Sequence, residues 1–146
     1  MINAADIVVY DEFGQVVLLA EVKTPASETS PHWAADVRHE IASELRGFLP
    51  RYFLVVARDL SYLWTSPATA ESVPDVQIAT DELLGDYLKD VDATAATITD
   101  TALELVVGIW LRDLTRGAGR AARALPSQLG LAAATENGRI EFAAAA

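Results

Sequence analysis

Ile7-Val8-Val9-Tyr10-Asp11-Glu12-Phe13-Gly14-Gln15-Val16-Val17-Leu18-Leu19-Ala20-Glu21-Val22-Lys23 decides how this chain is read. Two β-branched, apolar runs flank a polar turn, which is the pattern of a hairpin. Gly14 can take the positive φ that such a turn requires. The second run, Val16 to Lys23, is apolar on both faces until Glu21, as a central strand would be. Thr24-Pro25 ends it, because Pro25 cannot donate to a sheet ladder.

Outward from the hairpin, Ala34, Val37, Ile41, Leu45 and Phe48 fall on one stripe at helical spacing and predict an amphipathic helix over residues 33–48. Tyr52 to Ala57 reads as a buried strand, with Ser61 to Thr65 as its hairpin partner and Val76 to Ala79 as one more short strand. Thr80 or Asp81 caps a helix reaching about Val91. A second helix, 98–115, is apolar almost all round between Ala102 and Leu111, so it is either buried or shared with a partner chain. Arg139 to Phe142 suggests a terminal strand. The alternation of strands and helices predicts a mixed α/β (α+β) fold. The 146 residues form a single domain, with a core over 5–65 and a helical part over about 80–125.

Composition narrows the function. There is no cysteine, hence no disulfide framework, no zinc–thiolate site and no cysteine nucleophile. Apolar runs are interrupted well before the roughly 18 residues of a membrane-spanning helix. Met1 to Asp6 lacks the basic start and apolar core of a signal peptide, so the expected location is the cytoplasm, away from membranes. The net charge of -10 argues against a broad basic surface for nucleic acid. That charge is uneven. Residues 71–104 carry nine acids against Lys89, whereas residues 105–135 carry four arginines against Asp113.

Asp6, Glu21 and Lys23 form the most informative constellation. Alternate strand residues share a face, so Glu21 and Lys23 lie side by side. Burying both is costly unless they pair or bind a metal. A four-residue loop, Glu12 to Gln15, sets Asp11 opposite Val16 and Asp6 opposite Glu21. A three-residue loop puts Asp6 on the wrong face unless a bulge intervenes. Two converging carboxylates suit Mg²⁺ or Mn²⁺, which activates water and stabilises charge on a phosphate. A lysine beside them orients the water and neutralises the transition state.

Asp6, then Glu21-Val22-Lys23 after a hairpin and before an amphipathic helix, resembles the PD-(D/E)XK motif of the restriction-endonuclease-like nucleases. The resemblance covers roughly residues 5–65. It implies a mixed sheet flanked by helices, a divalent metal on Asp6 and Glu21 with the Val22 carbonyl as a further ligand, and Lys23 serving the attacking water. Family members usually carry a helix before the first strand, often bearing an extra glutamate. Only five residues precede Asp6 here, so that helix is dispensable, is replaced by another such as 98–115, or belongs to a longer chain.

Other candidates have plainer readings beside them. Glu40 and Glu44 border the apolar stripe of the 33–48 helix and are candidates to complete the site, although a solvated helix face explains either. His32 and His39 have no ligand-like partner in sequence. Thr24, Ser27 and Ser30 can touch a phosphate, or simply keep their loop soluble. Arg112, Arg116, Arg120 and Arg123 form one basic stripe if their helix is continuous, suited to DNA or to an acidic partner. As cations at a helix C-terminus they also need no further explanation.

The expectation is a metal-dependent nuclease hydrolysing phosphodiester bonds of DNA, with helix 98–115 as a dimer or partner surface. The rivals are a non-catalytic module with the same fold and an acidic protein that occupies a basic partner.

Overall fold

The computed structural model describes residues 4–67 and 72–143, so Met1 to Asn3, the middle of the connector after Ser66 and the last three alanines lie outside the described residues. The β-branched runs pair as the hairpin pattern predicts. β1 (Ile7–Tyr10) and β2 (Val16–Val22) are antiparallel. β3 (Tyr52–Val56) lies parallel to β2, and β4 (Leu60–Trp64) and β5 (Val76–Ala79) follow antiparallel. β6 (Arg139–Phe142) returns to pair antiparallel with β1. The sheet order is therefore β5-β4-β3-β2-β1-β6, with β2 in its interior.

The hairpin reaches the expected register by another route. Tyr10 pairs with Val16, leaving a five-residue loop rather than four. The Asp11 carboxylate closes it by accepting the N–H groups of Phe13 and Gln15, both at 2.9 Å, and Gly14 takes φ 81°. That register alone would send Asp6 to the wrong face. A β-bulge corrects it: Val9 pairs with Leu18, so Val17 is the extra residue. Val17 and Leu18 accordingly both enter one core cluster, where strict alternation would have split them.

The parallel β2–β3 pair needs a crossover, which α1 (Pro31–Glu44) supplies. Ser30 caps it by accepting the Trp33 N–H at 3.1 Å, and Pro31 occupies the first turn. It ends earlier than its apolar stripe suggests. Arg46 and Gly47 take φ 58° and 83°, turning the chain away, and Phe48 is left exposed. α1 covers one face of the sheet, packing Ala34, Val37 and Ile41 on Val8, Leu19, Phe53, Val55 and Trp64.

The other face is covered by the helices that follow β5. The helix expected over 80–91 is two short ones, α2 (Thr80–Leu83) and α3 (Gly85–Asp90), broken at Leu84. α4 (Asp100–Thr115) is the long helix, capped by Thr99, which accepts the Ala102 N–H at 3.2 Å. It buries Leu103, Val106, Val107, Trp110, Leu111 and Leu114 against the sheet. Trp110 is wholly buried and donates to the Ala121 carbonyl at 2.8 Å, which fixes α5 (Gly119–Ala122). A 3₁₀ turn and α6 (Leu131–Thr135) then lead into β6. The protein is thus mixed α+β: among the described residues, a six-stranded mixed sheet is flanked by six helices. Among the described residues no helix is long and apolar enough to cross a membrane.

Candidate functional site

Continuing the β1–β2 ladder one step beyond Ile7 and Ala20 brings Asp6 opposite Glu21. The two residues clamp each other. The Asp6 N–H donates to Glu21 Oε1 at 3.0 Å, and the Val22 N–H donates to Asp6 Oδ2 at 2.8 Å. Each carboxyl is therefore held by the other strand's backbone, which is why β1 can end here with its polar groups satisfied.

Glu21 is 8% exposed. Burial pushes its pKa up to about 8, reinforced by hydrogen bonding to Asp6 and by the Asp6 charge, while Lys23 opposes the rise. Glu21 consequently holds its proton at neutral pH, an arrangement typical of carboxyl pairs that a cation would relieve. Lys23 lies just past the end of β2. Its N–H donates to the Val56 carbonyl at 3.0 Å, anchoring the backbone, and its side chain is exposed.

The loop after Lys23 is fixed from the β3–β4 turn. Asp59 accepts the Thr29 N–H at 2.8 Å and its hydroxyl at 2.9 Å, and the Thr29 hydroxyl also meets the Tyr62 hydroxyl at 2.7 Å. Burial pushes the Asp59 carboxyl up, but these bonds, with the backbone N–H groups of Leu60 and of Asp59 itself, hold it below the usual carboxylate range. A cleft of about 350 Å³ opens beside this loop, lined by Ser27, Glu28, Arg58 and Asp81 among others. Arg58 is already committed, donating to the Ala95 and Ile98 carbonyls and pairing with Asp100.

Several expected members stand elsewhere. Glu40 and Glu44 are exposed, because α1 turns Ala34, Val37, Arg38 and Ile41 inward instead. Arg38, not an acid, is the buried charge of α1; its guanidinium lies 5.1 Å from the Trp64 ring and donates to Ser72 Oγ and the Ser66 carbonyl. His32 and His39 are exposed, and Ser30 serves as a helix cap. The arginine stripe does not form. α4 stops at Thr115 and Gly117 takes φ 73°, so Arg112 and Arg116 part from Arg120 and Arg123. Arg120 turns back to Asp90 at 2.8 Å and stacks on Tyr87, and Arg123 approaches Asp86 at 3.6 Å. The acidic segment is thus partly neutralised within the chain.

One acid was missed. Glu104, half-buried on α4, has its pKa raised by burial and by the charge of Asp6. Its sequence signal is its isolation: it is the single charge between Ala102 and Leu111 in an otherwise apolar run. Among the described residues no group of three or more His, Asp or Glu side chains is gathered closely enough to hold a metal. No family model matches the chain, and no curated protein or solved structure matches it.

Proposed function

We propose that the chain is a metal-dependent phosphodiester hydrolase acting on DNA, in the manner of the PD-(D/E)XK nucleases that its motif resembles. The observation that carries this reading is the mutual clamp of Asp6 and Glu21, with a buried, proton-holding Glu21 and Lys23 two residues on. Two carboxyls held together at a strand end are costly alone and favourable around a divalent cation. Asp6 and Glu21 would hold Mg²⁺ or Mn²⁺. In a strand the N–H and C=O of one residue face the same side, so the Val22 carbonyl shares the side on which its N–H meets Asp6. Bound there, the cation would stabilise charge on a phosphate and acidify a water. Lys23 contributes an exposed ammonium that would neutralise charge developing on the phosphate. α4 is the helix that would stand in for the one such nucleases carry before the first strand, and its Glu104 lies near enough to feel the charge of Asp6.

The test is nicking of supercoiled DNA with Mg²⁺ or Mn²⁺, using protein whose fold is checked by circular dichroism. Lys23→Ala should lower the rate by about 10²–10³-fold while leaving cation binding in place. Asp6→Ala and Glu21→Ala should lose both. Unchanged activity in all three variants would refute the assignment.

The absence of a three-ligand cluster among the described residues favours a second reading, a non-catalytic module of the same fold. Titration with Mn²⁺ separates the two: saturable binding that depends on Asp6 supports hydrolysis, and none supports the module. The third reading, an acidic protein that occupies a basic partner, has less to offer, since Arg120 and Arg123 already meet Asp90 and Asp86.

A further inference from the structure

α4 is apolar on both sides, and only one of them is used. Its inner side fills the core, while Leu105 and Ile109, four residues apart on the outer side, are 52% and 39% exposed. Phe142 of β6 lies against Gly108 and is also exposed, and Val91 extends the apolar strip past the other end. Leu105 and Ile109 border both of the shallow clefts that run along this flank, one ending at Phe142 and the other at Val91. Among the described residues the other exposed large apolar side chains, Phe13, Phe48 and Val73, lie apart in loops. β6 beside this strip is a sheet edge, with one side of its backbone unpaired by any other described strand.

The charges around the strip indicate what covers it. At the N-terminal end of α4, Asp92 and Asp100 are exposed, Asp100 in its pair with Arg58, and at the C-terminal end Arg112 and Arg116 are exposed. Among the described residues neither arginine takes part in an ion pair. A partner of one charge sign would be repelled at one end. An antiparallel copy of the same helix is attracted at both, and its macrodipole is opposed as well. In β6, Arg139 and Glu141 share a face and already pair with each other at 2.6 Å; antiparallel pairing about Ile140 would set each across from its opposite charge on a second copy, so this edge presents no like charges directly opposite.

We propose that α4 and the β6 edge form a twofold interface between two copies of this chain. One axis perpendicular to the sheet serves both elements, continuing the sheet through β6 and laying the two α4 helices side by side. Such an isologous contact closes on itself and buries the apolar strip against its own image. Asp6, Glu21 and Lys23 take no part, so the interface stands independently of the hydrolytic reading.

Sedimentation and light scattering from low micromolar to near millimolar concentration test it. The expected result is a concentration-dependent dimer. Ile109→Glu should weaken it at least about tenfold, and Arg112→Glu should weaken it in a salt-dependent way. Because the chain has no cysteine, a single one can be placed freely. Ile109→Cys should be joined to its copy by a short bismaleimide, and Phe13→Cys, at the far hairpin tip, should not. A monomer throughout the range, a dimer indifferent to Ile109→Glu, or equal cross-linking at both positions would overturn the proposal.

Discussion

Glu21 feels three influences that act in the same direction: a buried position on an interior strand, a hydrogen bond with Asp6 and the charge of Asp6. Its folded pKa of about 8 lies above the ordinary 4.5, so the native state holds a proton that the unfolded chain releases. This proton stabilises the fold fully below about 4.5, and the contribution is lost as pH rises through about 8. The melting temperature of the wild-type chain should therefore fall across that interval. Glu21→Gln, which is neutral at every pH, should flatten the slope, and a thermal melt series over pH reads both. Added Mg²⁺ or Mn²⁺ should restore stability at the alkaline end in the wild type only, because metal and proton compete for the same carboxyls. An unchanged slope in Glu21→Gln would mean that other groups dominate the titration.

Among the elements, β6 is the most sensitive to a single methyl group. A Cβ at Gly138 would lie 1.9 Å from the Tyr10 carbonyl oxygen and 2.9 Å from that of Thr135. Both are backbone atoms and cannot rotate aside. Gly138→Ala should cost about 3 kcal/mol in denaturant unfolding, and β6 amides should exchange faster. Gly108 offers the contrasting case. A Cβ there would meet the Phe142 ring at 2.2 Å, but that ring is half-exposed at a sheet edge and can swing away. Gly108→Ala should accordingly cost far less, partly offset by the higher helix propensity of alanine. At the start of α4, Thr99→Ala removes the cap to Ala102 and should cost about 1 kcal/mol.

For the whole molecule, the net charge of -10 sets the terms for any polyanion. Arg120 and Arg123 are engaged with Asp90 and Asp86, and the basic stripe that would have tracked a phosphate backbone is broken at Gly117. DNA therefore meets net repulsion unless a divalent cation intervenes. Binding measured by fluorescence anisotropy should be negligible in chelator at physiological salt and appear with Mg²⁺ or Ca²⁺. Asp6→Asn should abolish the gain. Tight binding in chelator would point instead to a local basic surface.

The sequence by itself determined the strands, the helix between the second and third of them, and the face that Glu21 and Lys23 share. Strand patterning is local, since the apolar runs and Pro25 bound β2 wherever it lies, and face alternation places Glu21 and Lys23 together. Tertiary structure decided the rest. The five-residue loop and the Val17 bulge offset each other, so the register at Asp6 rests on packing along the whole ladder rather than on turn chemistry. Glu40 and Glu44 face solvent because α1 docks by its Ala34–Val37–Ile41 side, a rotation that the stripe's borders left open. Glu104 comes within the field of Asp6 only because α4, nearly a hundred residues away in the chain, packs beneath the sheet. Contacts of that sequence separation are fixed by the packing of apolar surface against the sheet, and no local pattern encodes them.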